Sequence, residues 1–372
     1  MAAGSDARRW TGSTVVKTFG RVKGSVKLHW AANGGDLRVG PILAVPILLT
    51  EHGVDPAGVF TSVGLDLRLM EDPENRISFR DFGRLLDACA AATGCPHFGL
   101  MAVQRYDHNS LGAVGHLMRN SPTVGDALRC LQLHMHFNDR GAVLHPLRLD
   151  SQRVAFVYTI IWHDTPATSL IYDAALGIAH KTMRDLCGPS WKPLALQFVH
   201  RRPEATQPYR KFFGVRPEFD AGRSAIVFAS SWLDRPIPGA DPKLRNVLAR
   251  TIHGLEVDLR DSTTLQVRRA LYPMVLSGTA TLARTARLFS LHERTLRRRL
   301  EAEGTTFHEL LNEARFSVAQ QLLRDTHVSA AEIAENLGYA NPGAFSRAFR
   351  GWSGTAPRQW RDRQAGLYRP GR

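Results

Sequence analysis

Residues 291–300 read LHERTLRRRL, and four guanidinium groups, Arg294, Arg297, Arg298 and Arg299, fall within six positions. A guanidinium is planar, permanently charged and carries forked donors, so arginines at this density suit phosphate oxygens or the O6/N7 edge of guanine. Written as a helix at about 100° per residue, the segment puts Leu296 and Leu300 on one face and Arg294 and Arg298 on the opposite one. The leucine side then docks on a core, and the arginine side meets a polyanion or, in the plainest alternative, only solvent.

Other chemistry-bearing groups are sparse. The chain contains no G-x-S-x-G, G-x-x-x-x-G-K-[ST] or G-x-G-x-x-G, so the usual nucleophile and phosphate-loop signatures are missing, and neither a catalytic residue nor a cofactor is expected. His134-x-His136 lies in a helical stretch without a third ligand nearby, so no metal site is expected. Asn138, Asp139, Tyr158 and Asp164, with Trp162 and His163, are candidates for a polar small-molecule pocket, against a plain core or surface role for each. A cationic ligand would need a buried carboxylate facing it, for which Asp139 and Asp164 are the candidates.

Charge shows where these groups belong. Of 372 residues, 262–372 carry 17 Arg and no Lys against 9 acids, 41–261 carry 24 basic against 23 acidic side chains, and 1–40 carry 7 against 2. The middle is neutral and the C-terminal part is basic through arginine alone, which favours nucleic acid as partner. Cys89, Cys95, Cys130 and Cys187 are scattered and read as reduced thiols of a cytoplasmic protein. The run VGPILAVPILL is short and broken by Pro41 and Pro46, so no membrane span is expected.

The elements that must position the arginines divide accordingly. Residues 1–40 are expected to be a flexible basic tail. Residues 41–240 alternate helical stretches (DFGRLLDACAAA, TVGDALRCLQLHM, TSLIYDAALGIAHKTMRDLC) with β-rich runs (RVAFVYTII, PLALQFVH, SAIVFA), which makes a mixed α+β domain. Residues 241–262 form a linker helix that bridges the domains or pairs with a second subunit. Residues 263–362 are all α, and residues 363–372 are a tail.

Within 263–362 a pattern repeats. TARLFSLHERTLRRRL (285–300) and IAENLGYANPGAFSRAF (333–349) each combine a short helix with an inner alanine (Ala286, Ala334), a tight turn, and a second helix with apolar anchors four apart. The anchors are Leu296 and Leu300 in one copy, Phe345 and Phe349 in the other. That is a helix-turn-helix written twice. Thr306-x-x-Glu309 and Ser329-x-x-Glu332 read as capping boxes, Asn341-Pro342 as an N-cap followed by a first-turn proline, and Gly338 as a turn residue with positive φ. Its counterpart Ser290 is a departure, read either as a strained turn or as a cap through Ser290-x-x-Glu293. The intervening FHELLNEARFSVAQQLLRD is an uninterrupted helix of 19 residues, roughly 28 Å long, against a B-DNA repeat of roughly 34 Å.

The last hundred residues resemble the AraC/XylS transcriptional regulators, through GYANPGAFSRAFRGWSGTAPRQWR with Gly338, Tyr339, Phe345, Arg347, Phe349, Arg350, Trp352, Gly354 and Pro357 in place. HLMRNSPTVGDALRCL and PYRKFFGVRPEFDAGRSAIVFASSWLDRPIPGADPKL resemble the effector-binding domain of the branch that includes ornithine-utilisation and virulence regulators. Together the resemblances span roughly residues 41 to 361. They imply an α+β effector domain followed by an all-α double helix-turn-helix, in a cytoplasmic regulator, an activator in this reading, that works as a homodimer on the major groove of promoter DNA under a small effector. On the DNA side Arg294, Arg297 and Arg298 are expected at base edges and Arg299 at phosphate. In the second copy Ser346, Arg347 and Arg350 are the exposed positions, with Asn341 beside the backbone as cap. Two other classes remain open: an enzyme with an appended DNA-binding module, and a nucleic-acid-binding protein without sequence choice.

Overall fold

The structure, a computed structural model, describes residues 35–161, 165–258, 262–276, 278–289, 291–326 and 328–367. It opens with β1 (Asp36–Arg38), followed by α1 (Val45–Glu51) and α2 (Pro56–Ser62), and β1 pairs antiparallel with β2 (Arg76–Ser78), Leu37 opposite Ile77. Residues 36 to 40, assigned from sequence to the tail, are therefore part of the fold, and Leu37, Arg38, Val39 and Gly40 are buried. A three-residue strand has no periodicity of its own to betray it; only its partner strand does. The apolar run that follows is a 3₁₀ turn (Gly40–Ile42) continuing into α1, with Ile42, Val45, Leu48 and Leu49 in the core. Among the described residues no single helix is long and apolar enough to cross a membrane.

Helices α3 (Phe79–Thr93), α4 (Phe98–Ala102), α5 (Gly112–Arg119) and α6 (Val124–Asn138) come next. Their limits are set by local chemistry: Ser78 caps α3 through the Asp81 amide, Thr123 caps α6 through that of Asp126, and α3 ends at left-handed Gly94. His134 and His136 both lie on α6, with a break in helical geometry at His134. Then follow β3 (Ala142–Arg148), β4 (Arg153–Ile160), α7 (Thr168–Cys187), β5 (Ala195–Gln197), α8 (Gln207–Phe213), β6 (Pro217–Glu218) and β7 (Ser224–Ala229). They build a five-stranded sheet of order β3-β4-β7-β5-β6, antiparallel except for β5 with β6. β3 escapes a sequence reading because Pro146 interrupts it; proline is tolerated there because β3 is an edge strand.

The sheet is buried on both faces. Val154, Phe156, Tyr158 and Ile160 of β4 join the main core with α7, whereas Ala155 and Val157 meet Ala225 and Val227 of β7 on the other face. On that second face, further along, Val143 of β3 and Ile161 just past β4 enter the core of the C-terminal unit.

The connecting helix α9 (Pro242–Asp258) does not bridge freely: Leu248 and Ile252 are buried in the first core, where α9 packs on α5. The remainder is α10 (Thr263–Leu276), α11 (Leu282–Leu288), α12 (Glu293–Ala302), α13 (Phe307–Asp325), α14 (Ala330–Asn336), α15 (Pro342–Ser353) and α16 (Pro357–Leu367), with no strand among the described residues of this part. Both expected capping boxes are formed, at Thr306/Glu309 and Ser329/Glu332. Helix α13 is the axis of this unit: Leu310, Leu311, Ala314, Val318, Leu322 and Leu323 are buried along it against α10 on one side and α14 to α16 on the other.

Two consequences are measurable. Phe349 is fully buried between Phe316, Phe345 and Trp360, so Phe349→Ala is expected to cost about 3–5 kcal/mol in urea unfolding; a loss under 1 kcal/mol on that scale would contradict this packing. His145 on β3 is buried with neither ring nitrogen hydrogen-bonded among the described residues, and burial, helped by Arg223, pushes its pKa down to about 4. A base kept neutral in the fold yet protonated in the unfolded chain makes stability fall as the pH drops from about 6.5 to about 4. The stability difference between wild type and His145→Leu should therefore shift against wild type by up to about 3 kcal/mol across that window, read from urea midpoints at both ends; a pH-independent difference would refute it.

Candidate nucleic-acid interface and effector cavity

Each helix-turn-helix is built from the same contact. In the first, Thr281 caps α11, Ala286 is buried where the two helices cross, and the Leu291 amide donates to the Ala286 carbonyl at 2.8 Å. In the second, Ala334 is buried and the Tyr339 amide donates to its carbonyl at 2.9 Å, with Gly338 between them at φ +72°. A small residue at the crossing and one turn hydrogen bond set the angle at which the second helix leaves.

Helix α12 buries Leu296 and Leu300 completely and leaves Arg294, Arg297, Arg298 and Arg299 exposed, without an ion pair among the described residues. Its N-cap is His292, with no side-chain cap. Ser290, read from sequence as either a strained turn or a cap, lies outside the described residues. Helix α15 starts as expected, with Asn341 accepting from the Ala344 amide at 2.8 Å and Pro342 at the first position. Phe345 and Phe349 are fully buried, Arg347 and Arg350 exposed, and Ser346 half-buried. A Cβ added at Gly343 would lie 3.6 Å from Arg347 Nη1, so this guanidinium folds back over the first turn of α15, where Asn341 also sits. Seven of the eight expected DNA-side residues are therefore exposed, on helices whose opposite faces are anchored.

The other site lies inside the α+β domain: a cavity of about 80 Å³ between the front of the sheet, β1, α3, α6 and α7. Leu37, Ile42, Phe79, Phe82, Leu131 and Ile171 give it an apolar wall, and Arg38, Asn138, Asp139, Tyr158 and Thr182 supply its polar groups. Asp139 is fully engaged: Oδ2 accepts from Tyr158 Oη at 2.7 Å, and Oδ1 from the Gly141 and Ala142 amides. Burial pushes its carboxyl up to about 6 against these hydrogen bonds, which pull it down. Arg38 donates from Nη1 to Asn138 Oδ1 at 2.7 Å and from Nη2 to Glu74 Oε1 at 2.5 Å.

Of the effector-side residues expected from sequence, Asn138, Asp139 and Tyr158 line this cavity together. Asp164, with Trp162 and His163, lies outside the described residues. Arg38 escaped notice because it sits in the supposed tail, and the apolar lining because its side chains come from elements spread over residues 37 to 179 that only folding brings together. The four cysteines are unpaired, and burial pushes Cys89, Cys130 and Cys187 up to about 12, which keeps them as inert thiols.

The two parts touch across the sheet. Tyr272 of α10 donates its hydroxyl to the Ile161 carbonyl at 3.1 Å and lies 2.5 Å from Ser317 Oγ of α13. Val318, Gln321 and Leu322 of α13 share a crevice with Tyr158, Thr159 and Ser224. Tyr158 therefore borders both the cavity and this crevice.

Comparison with known proteins agrees with this division. Residues 53–237 match the family described as the arabinose-binding domain of AraC transcription regulators, N-terminal, and residues 285–363 match a helix-turn-helix domain family. The chain is 26% identical over 317 residues to an ornithine utilization regulator of Pseudomonas aeruginosa, covering 85% of this chain and 93% of that one. It is 25% identical over 315 residues to the transcriptional regulator VirS of Mycobacterium tuberculosis, covering 84% and 93%. A crystal structure of the transcriptional regulator CdpR from Pseudomonas aeruginosa aligns with 86% of this chain and 96% of that one, at 22% identity and a TM-score of 0.41. With an arabinose-binding-type domain ahead of a double helix-turn-helix unit, the chain belongs to the AraC family of transcription regulators.

Proposed function

We propose that this regulator reads a specific duplex sequence with two recognition helices, α12 and α15, under the control of a small molecule held in the cavity of its α+β domain. The observation that carries the reading is the paired one-sidedness of these helices: apolar anchors fully buried, guanidinium groups exposed and unspent. Helix α13, 19 residues and about 28 Å long, spaces them for successive major-groove faces of one duplex. Arg294, Arg297 and Arg298 read base edges, Arg299 and Arg350 bind phosphate, and Arg347, with Ser346 and Asn341, contacts the second half-element. The protein acts in the cytoplasm as a homodimeric activator. Control follows from the shared strands: a ligand that binds differently in two arrangements of the cavity shifts their populations, and Tyr158, Val143 and Ile161 link that wall to α10 and α13.

Selection from random duplexes is expected to enrich a sequence with two contacted elements about 10 base pairs apart. Equal affinity for all duplexes at physiological salt would favour a protein without sequence choice. On the enriched site, Arg298→Ala should cost about 1–3 kcal/mol and relax preference at one position. Arg299→Ala should instead weaken all sequences alike and lower the salt slope by about one. If the two variants behave identically, the division of roles is wrong.

A further inference from the structure

The effector reading leaves the ligand's chemistry open, and the cavity's hydrogen-bond balance narrows it. The polar groups around it are unequally spent. Asp139 accepts three hydrogen bonds, from Tyr158 and two backbone amides, which leaves little capacity for a ligand cation. Asn138 accepts from Arg38 through Oδ1 and donates to the Leu111 carbonyl through Nδ2. Thr182 is held by Tyr106 Oη at 2.8 Å.

Arg38 differs from these. Its side chain is 6% exposed, yet the carboxylate that meets it among the described residues, Glu74, is 68% exposed, so their ion pair is largely screened by solvent. Its Nε, a buried donor, has no partner among the described residues. Its position is held by close packing: a Cβ added at Gly112 would meet both terminal nitrogens at 3.2 Å, and one added at Gly40 would meet Nη2 at 3.3 Å. A buried donor without a partner costs free energy that an acceptor brought within its reach would recover, and Arg38 is among the residues that line the cavity. The wall beyond it is formed by leucine, isoleucine, phenylalanine, methionine and alanine side chains.

We propose that the cavity takes a short apolar molecule with a single hydrogen-bond-accepting, anionic head, a small carboxylate, and that Arg38 is the residue that recognises the head. At roughly 10–15 Å³ for each water-sized group, a cavity of about 80 Å³ holds about five to eight heavy atoms. This inference rests on the cavity being the effector site. Of the two carboxylates considered for a cationic ligand, Asp139 already has its donors, and Asp164 lies outside the described residues.

Hexanoate, hexylamine and hexanol are suitable probes, titrated against the full-length protein in a thermal-shift assay at pH 8, where Asp139 is ionised and the amine has its best chance. Hexanoate is expected to raise Tm saturably, by mass action, and the amine and alcohol are not. Arg38→Gln should weaken hexanoate roughly tenfold or more. Because Arg38 also ties β1 to Asn138 and Glu74, a second variant is needed: Ala175→Phe, which fills the cavity from α7, should abolish the shift without touching the guanidinium. A stabilising amine with an inert carboxylate, or a hexanoate shift that survives Ala175→Phe, overturns the proposal. DNA affinity measured in parallel separates the two readings. Hexanoate binding that leaves DNA affinity unchanged keeps the ligand class and removes the control, whereas a change in DNA affinity with hexylamine alone keeps the control and removes the ligand class.

Discussion

The interface depends on one constraint: a recognition helix can offer its arginines only if its opposite face is pinned. Leu296 and Leu300 pin α12, and Phe345 and Phe349 pin α15, each pair four residues apart and fully buried. A 3.6-residue period then leaves no freedom about which side chains point outward. The small residues Ala286 and Ala334 complete the arrangement, since a larger side chain at either crossing would push the paired helices apart. The aromatic cluster of Phe316, Phe345, Phe349, Trp352 and Trp360 makes the second copy the more heavily packed one.

A second consequence of strand geometry joins the two halves of the chain. Successive side chains of β3 and β4 point to opposite faces, so one hairpin contributes Leu144 and Tyr158 to the cavity and Val143 to the core around α10. The backbone just past β4 adds the Ile161 carbonyl, which accepts from Tyr272. A change in how the cavity wall packs therefore has a short path to α10 and α13. No moving linker is required, because α9 is itself fastened to the first core through Leu248 and Ile252.

Inside the cavity, burial works differently on two charged groups. Asp139 sits among backbone amides and a tyrosine hydroxyl that compensate much of its desolvation, so its carboxyl settles near 6 rather than being neutralised outright. Arg38 meets Asn138, the Ser110 carbonyl and a solvent-facing glutamate through its terminal nitrogens, and its Nε is left over among the described residues. The contrast makes the arginine the group with capacity left for a ligand.

The DNA-side unit was legible in the chain itself because its signals are local: anchors four apart, capping boxes at Thr306 and Ser329, Asn341 before Pro342, and Gly338 where φ must be positive. Such features act within one or two turns, so residue order is enough to read them, and which arginines are exposed follows from the anchors. The same holds for α7, which runs from Thr168 to its stop at Gly188. Other features were decided only by tertiary structure. β1 is a strand because β2 lies beside it, β3 accommodates Pro146 because it happens to be an edge, and Arg38 becomes a cavity residue because β1 brings it against Asn138, 100 positions away. Asn138, Asp139 and Tyr158 could be named from their polarity, but their meeting around one apolar space could not. Sequence determines what each helix does with its own neighbours; which distant surfaces share a cavity depends on non-local pairing and packing, whose partners no periodicity in the chain records.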